Sequence, residues 1–241
     1  MSNFGVLFNG ELQRMVRYSI MGASILVSGL WILVLHFTEV QDVGVILPLL
    51  LFVDAVSMAI ILIGVTLFFE KQEGTLKTLL VSPITKMEYV LAKTSANIVS
   101  NVLTLVILYS YAWLFREVNL SFTALLGAVV VIAVFHSLVG FWFSYYSAEF
   151  TDLLINMFKY LLVFSLPVFF EAAGLITNEF VLNLMHVLPT KAAMTLLQAS
   201  GGEAALGEVF FSAVYLVGGS AILLHVVLNK FDEFAVKESG V

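Results

Sequence analysis

The sequence predicts an all-α protein that crosses a membrane six times. Of its 241 residues, 61% are hydrophobic and 12% are charged, and its mean hydropathy is +1.03. Soluble domains average about 25% charged residues. The apolar residues form stretches of the roughly 20 residues that are needed to cross about 30 Å of hydrocarbon. The chain has no cysteine, which excludes disulfides and thiolate metal sites, and its four histidines lack metal-ligand spacing.

Residues 1–17 are amphipathic. Their apolar side chains recur at helical spacing: Phe4, Leu7, Phe8, Leu12 and Met15. Arg14 and Arg17 lie off that face. This pattern predicts an interfacial helix that lies on the membrane surface before the first crossing.

Six apolar stretches follow and are predicted to be spans 1 to 6: residues 18–37, 46–69, 94–115, 118–148, 157–176 and 208–228. Pro167 and Glu171 interrupt the fifth. Residues 177–207 are broken by Pro189 and a Gly201-Gly202 pair, which predicts a re-entrant region of short helices at the outer face. Residues 229–241 are predicted to be a short charged tail.

The loop at residues 70–93 is the longest charged segment between spans. Leu76, Leu79 and Leu80 fall on one helical face, while Glu73 and Lys77 form a favourable i,i+4 pair. Ser82-Pro83 then breaks the helix, because proline disfavours helical backbone at the residue before it. Thr85 followed by Glu88 is a capping-box signature, so a second helix is predicted to start there and continue into span 3.

The basic residues predict the orientation. With both termini in the cytoplasm, nine of the eleven Lys and Arg side chains lie on the inner side: Arg14, Arg17, Lys71, Lys77, Lys86, Lys93, Lys159, Lys230 and Lys237. Arg116 and Lys191 lie outside. Basic residues favour the cytoplasmic side of a membrane, so the loop at residues 70–93 is predicted to be cytoplasmic.

The same loop resembles the first cytoplasmic loop of ABC-2-type transporter permeases. The resemblance rests on Glu73-Gly74-Thr75-Leu76, Leu79-Leu80, Ser82-Pro83 and Lys93. Phe52-Val53-Asp54-Ala55 and Phe69-Glu70-Lys71 are similar to the short drug-export permeases of the fluoroquinolone type. The resemblance implies a coupling helix, and we expect it to contact an ATPase through seven residues: Glu70, Glu73, Gly74, Thr75, Leu76, Leu79 and Leu80.

The resemblance also implies the partners. The sequence has no Gly-x-x-x-x-Gly-Lys-Ser/Thr phosphate loop, so ATP and Mg would bind to a separate cytoplasmic ABC ATPase, present in two copies. A second permease copy, identical or paralogous, would complete a pathway for an amphipathic, drug-like or lipid-like substrate. The expected location is a prokaryotic plasma membrane, in contact with lipid and without a nucleic-acid partner.

Four polar residues within the spans are candidates for the substrate pathway or for an interface. Asp54 is a carboxylate inside span 2, where a charge costs several kcal/mol and usually serves a cavity or partner, although a locally bonded acid is the alternative. Glu171 either lines the outer part of a pathway or faces outer water. Asn97 and Asn101 lie four residues apart, as amides that join packed helices do.

Two further functions stay open at this stage. An intramembrane protease is weakly suggested by Gly218-Gly219-Ser220-Ala221, but no histidine is evidently placed to serve Ser220. A non-transporting sensor or assembly subunit is also compatible with the sequence.

Overall fold

The computed structural model describes residues 3–37 and 43–236, with only the backbone of Leu80. In these residues every regular element is helical: α1 (Phe4–Arg17), α2 (Ile20–Phe37), α3 (Val43–Gln72), α4 (Thr75–Leu80), α5 (Lys86–Phe115), α6 (Phe122–Tyr146), α7 (Phe150–Tyr160), a π-helical turn (Leu161–Ser165), α8 (Leu166–Ala172), α9 (Glu179–Met185), α10 (Pro189–Gln198), a 3-10 turn (Ala199–Gly201) and α11 (Leu206–Val236). The predicted ends at residues 1–2 and 237–241 lie outside the described residues.

The prediction of six spans is confirmed. Six helices are long and apolar enough to cross a membrane, namely α2, α3, α5, α6, the continuous stretch Phe150–Ala172 and α11. α5 begins at Lys86, so the second helix of the loop does run on into span 3. α11 continues beyond the predicted end of span 6, because Phe231, Phe234 and Ala235 pack into the core.

Spans 2 and 4 form the centre of the bundle and are the most buried. Their backbones approach closely at Gly140, where an added Cβ would lie 2.8 Å from the Ile60 carbonyl oxygen and 3.1 Å from the Ile63 Cβ. Small residues at such points allow membrane helices to pack backbone to backbone. Span 4 can therefore pack this close to span 2 because Gly140 has no side chain.

Span 5 contains the irregularity that its sequence predicts. Pro167 has no N–H group, so the regular i→i−4 bonding is broken there, and the helix accommodates this with the π-helical turn Leu161–Ser165. The hydroxyl of Thr190 on α10 donates a hydrogen bond to the Phe164 carbonyl oxygen in this turn. A neighbouring helix thus satisfies the altered backbone, as membrane interiors require.

The segment between spans 5 and 6 forms two short helices, and the pair Glu179–Met185 and Pro189–Gly201 is bent by 97°. α10 is largely buried, with Ala193 and Leu197 fully enclosed. α9 exposes Phe180 and Leu184. Short helices in this segment agree with the prediction, while their depth in the bilayer stays a prediction.

Candidate functional site

α4 is a separate short helix between spans 2 and 3. Gly74 precedes it with φ of +70°, a left-handed conformation that glycine adopts without steric cost and that turns the chain sharply after span 2. α4 ends at Leu80, before Ser82-Pro83. The capping box predicted at Thr85 and Glu88 is confirmed in both directions.

α4 is fixed to three spans through Leu76, whose exposure is only 1%. Leu76 belongs to an apolar cluster that includes Leu67 from span 2, Tyr89 from span 3, and Phe231 and Phe234 from span 6. Burial of a leucine side chain stabilises a structure by roughly 1.5–3 kcal/mol. A force applied to α4 therefore acts on spans 2, 3 and 6 together.

The remaining predicted coupling residues lie in α4 or next to it, and the side chain of Leu80 lies outside the described residues. Glu73 and Thr75 are exposed, while Gly74 and Leu79 are half-buried. Lys77, Thr78 and Val81 add to the exposed face, and Val81 is 87% exposed. The structure thus separates a buried anchor, Leu76, from an exposed face, and contact between this face and an ATPase stays a prediction.

Glu70, the first predicted coupling residue, lies inside the chain. Its carboxylate lies 2.9 Å from the Lys93 ammonium, and these side chains are 4% and 2% exposed. The Tyr89 hydroxyl donates a hydrogen bond to it, and Arg14 of α1 forms an ion pair with it. Glu70 is therefore surrounded by three donors from within the same polypeptide.

Glu11 completes a cluster of two acids and two bases. Its Oε2 lies 3.1 Å from the Lys93 Nζ, and it also pairs with Arg14. Burial by itself would raise the pKa of Glu11, but Lys93 and Arg14 outweigh this effect, and the pKa lies below its usual value. Burial would lower the pKa of Arg14, yet Glu70 and Glu11 raise it above its ordinary value. We call Glu11, Arg14, Glu70, Lys93 and Tyr89 the ion cluster.

The start of α1 also contacts the loop. The Asn3 backbone N–H lies 3.2 Å from the Glu88 Oε1, and the Asn3 amide nitrogen donates to the Pro83 carbonyl oxygen at 3.0 Å. At the other end of the described chain, Lys86 pairs with Asp232 of α11. Both ends of the described chain, Asn3 and Val236, therefore lie at the ends of helices that reach the end of the bundle that carries α4, which we call the α4 end.

Sequence reasoning missed the roles of Glu11, Arg14 and Tyr89. Arg14 and Glu11 lie three residues apart on α1, which is a local signal for an ion pair. Nothing local, however, indicates that this pair meets Glu70 and Lys93 from distant parts of the chain.

The four polar pathway candidates occupy two regions. Asp54 (4% exposed), Asn97 (2%) and Asn101 (3%) are buried among spans 1 to 4. Asn97 donates to the Ala59 carbonyl oxygen at 3.1 Å and to the Ser137 hydroxyl at 2.7 Å, which joins spans 2, 3 and 4. Glu171 pairs instead with Lys191 of α10, at the end opposite to α4.

A cleft of about 630 Å³ opens between spans 4, 5 and 6. This volume lies within the range of roughly 300–1,000 Å³ of small-molecule sites. Its walls are mainly aromatic: Phe135, Trp142, Phe143, Tyr160, Phe164 and Tyr215. Asn156 and Lys159 provide polar groups in the part of span 5 that is nearer to the α4 end. No sequence pattern indicated this cleft, since aromatic residues are spread over all the spans.

Comparison with known proteins gives a consistent result. The Fluoroquinolones export permease protein family matches residues 3–239. Two fluoroquinolones export permease proteins of Mycobacterium tuberculosis, from strains CDC 1551 / Oshkosh and ATCC 25618 / H37Rv, are each 26% identical over 233 residues, covering 96% of this chain and 95% of the relative. No solved structure matches. With six spans and an α4 loop of ABC-2 type, the chain belongs to the fluoroquinolones export permease protein family.

Proposed function

We propose that this chain is the permease subunit of an ATP-driven exporter, in which α4 receives the motion of a separate ATPase. The observation that carries the proposal is the division of α4 into two faces. Leu76 is buried among spans 2, 3 and 6, whereas Glu73, Thr75 and Lys77 are exposed. A helix that is attached on one side and exposed on the other is suited to helix-in-groove recognition by a partner.

A cytoplasmic position of α4 follows from the distribution of basic residues. Lys71, Lys77, Lys86 and Lys93 all belong to the loop that contains α4, and the positive-inside rule favours the cytoplasm for such a loop. Both chain ends lie at the same end of the bundle, as an even number of spans requires. The ATPase partner, with its ATP and Mg, would therefore meet α4 inside the cell.

The aromatic cleft is the best candidate for substrate binding. Its aromatic walls suit a planar or apolar molecule, and Lys159 and Asn156 can bind the polar part of an amphipathic one. The related mycobacterial proteins are named for fluoroquinolones, which supports a drug-like substrate. Because the cleft opens at the side of one bundle, we propose that a second permease copy completes the pathway.

In the proposed mechanism, two ATPase subunits close on ATP and displace α4 in each permease copy. The displacement changes the relative stability of inward-facing and outward-facing arrangements, and transport follows from this population shift. The protease alternative receives less support, because the Ser220 hydroxyl donates to the Leu216 carbonyl oxygen within its own helix.

Co-purification with the ATPase tests the proposal. The double variant Glu73→Lys and Thr78→Lys changes one exposed residue just before α4 and one within it, and we expect it to lose the ATPase while eluting as a folded permease. Glu233→Lys is the control, because it changes an exposed charge at the same end of the bundle. If the double variant retains the ATPase as well as the control does, α4 is not the docking element.

A further inference from the structure

A row of polar side chains runs through the bundle along span 3. Lys93, Asn97, Asn101 and Thr104 follow one another at intervals of three or four residues, so they share one helical face. Lys93 and Thr104 are eleven residues apart, which corresponds to about 16 Å along the helix at 1.5 Å per residue. All four are 3% exposed or less. The row begins at the ion cluster and ends deep inside the spans.

Span 1 covers this row with polar side chains of its own. The hydroxyls of Ser24 and Ser100 are 2.8 Å apart, and the Ser28 hydroxyl lies 3.3 Å from the Thr104 Oγ1. Both serines of span 1 are buried. Hydroxyl contacts between spans 1 and 3 thus lie beside the amides of Asn97 and Asn101 and continue past them to Thr104.

Asp54 lies at the inner end of the row. Thr104 of span 3 and Trp31 of span 1 lie beside its carboxyl group, and the Trp31 Nε1 has no hydrogen-bond partner among the described residues. Neither is charged. An acid this deep in a spanning helix requires polar surroundings, and here they come from the same face of span 3 that leads to Lys93.

Several polar atoms along the row lack a hydrogen-bond partner within residues 3–37 and 43–236. They are the Thr94 Oγ1, the Asn97 and Asn101 Oδ1 atoms and the Trp31 Nε1. A buried polar group without a partner costs roughly 1–3 kcal/mol by mutational measures. Buried groups of this kind usually bind ordered water. Thr94, Asn97 and Asn101 lie on one face of span 3, at spacings of three and four residues, so one water molecule can serve more than one of these atoms.

We propose that a chain of water molecules binds between spans 1, 2 and 3, and that Asp54 exchanges a proton with the α4 end along it. The carboxylate takes a proton from the adjacent water, each water takes one from the next, and bulk water at the α4 end supplies the last. The permease would therefore have a proton-binding site within the membrane, separate from the aromatic cleft.

Other titratable groups near this path pair with or contact groups other than Asp54. At the α4 end, Glu70, Lys93 and Glu11 pair with one another. On span 4, the His136 Nδ1 lies 2.8 Å from the Ile132 carbonyl oxygen, and the His136 ring contacts Tyr160 of span 5, with their centroids 6.0 Å apart. On α10, Lys191 pairs with Glu171.

Because the chain contains no cysteine, single cysteines report water along the row without further changes. The purified permease carrying Ser100→Cys or Thr104→Cys would be treated with silver ions, which are small enough for a narrow wet path. Leu105→Cys is the matched control, since Leu105 adjoins Thr104 on the same helix but is fully buried in the apolar core.

We expect Ser100→Cys, beside the row, and Thr104→Cys, in it, to react at least about tenfold faster than the control, because a thiol forms its reactive thiolate in water and not in apolar surroundings. Equal rates at all three positions, or no reaction at either row position in folded protein, would overturn the proposal. The measurement needs no ATPase and no transport, so its failure is distinguishable from failure of the exporter proposal.

Infrared spectroscopy tests the proton site itself. Among the protonated-carboxyl bands that change with pH in the wild type, one should be missing in Asp54→Asn. Transfer into D₂O should shift this band more slowly in Asn101→Leu, which removes an amide from the row at similar volume. If no carboxyl band is lost in Asp54→Asn, or if the exchange rate is the same in Asn101→Leu, the row does not serve Asp54.

Discussion

The ammonium of Lys93 lies 2.9 Å from the carboxylate of Glu70, and the two groups are enclosed where spans 2 and 3 meet α1. Removing one partner of a buried ion pair leaves an uncompensated charge, which typically costs about 3–5 kcal/mol. We therefore expect Lys93→Met to lower the free energy of unfolding by about that amount, measured by denaturant titration of the purified protein.

Lys86→Met is the control for this change. Lys86 pairs with Asp232, but these side chains are 42% and 57% exposed, and exposed pairs contribute only about 0–1 kcal/mol. Combining Lys93→Met with Glu70→Gln should restore part of the loss, because the second change removes the unpaired charge. Losses that simply add would contradict the pairing.

The anchor of α4 predicts a second stability difference. Leu76→Ala removes a buried side chain and should cost about 2–5 kcal/mol. Val81→Ala, at an 87% exposed position, should leave thermal unfolding almost unchanged. If Leu76→Ala unfolds like the wild type, α4 is not attached to spans 2, 3 and 6 in the way described.

The close approach of spans 2 and 4 predicts a third stability difference. Gly140→Ala places a methyl group 2.8 Å from the Ile60 carbonyl oxygen, and overpacking of this kind typically costs about 1–3 kcal/mol. Gly127→Ala on the same helix meets no atom of the described residues within 4 Å. It should therefore be tolerated, as compared by thermal unfolding in one detergent.

Lowering the pH should weaken the attachment of α1 to the bundle. Because the pKa of Glu11 is below its ordinary value of 4.5, the charged carboxylate stabilises the docked helix at pH 4.5 and above. This contribution is lost as the pH falls from there through the pKa of the folded state. A spin label on Val6→Cys, an exposed position, should become more mobile over that range.

Glu11→Gln provides the comparison for the acid experiment, since it cannot carry the charge. We expect the label to be more mobile in this variant already at neutral pH. A wild-type label whose mobility stays constant below pH 4.5 would show that Glu11 does not hold α1.

The position of the cleft predicts which of two substitutions weakens binding of the proposed substrate. Val163→Trp adds bulk to a lining residue of span 5, whereas Val217→Trp adds the same bulk to span 6 outside the lining; the two valines are 61% and 56% exposed. Under the substrate proposal above, we expect Val163→Trp to weaken the binding of an amphipathic, drug-like probe by about tenfold, or roughly 1.4 kcal/mol, in an equilibrium binding titration. Equal binding by both variants would place the substrate elsewhere.

Local signals predicted most of the fold. The length of each apolar stretch defined six spans, Pro167 marked the irregular turn of span 5, and Thr85 with Glu88 defined the start of α5. These features depend on residues close together in the chain, where spacing and backbone chemistry decide the outcome.

The candidate site was less accessible to sequence reasoning. Glu70 and Leu76 were both assigned to partner contact, yet the structure encloses both within the chain. Their surroundings come from α1, span 3 and span 6, whose arrangement depends on tertiary packing and not on local pattern. Asp54 was identified because a carboxylate in a span is conspicuous, whereas its neighbours Trp31 and Thr104 are not.

α11 runs without interruption from Leu206 to Val236, a length of about 46 Å at 1.5 Å per residue. Phe231 near one end packs beside Leu76, and Tyr215 nearer the other end donates to the Val187 carbonyl oxygen between α9 and α10. An unbroken helix of this length can transmit a tilt from one end to the other. Tilting its base by a few degrees would swing its far tip by several ångströms, so the segment between spans 5 and 6 would respond to events at α4 across the whole thickness of the bilayer.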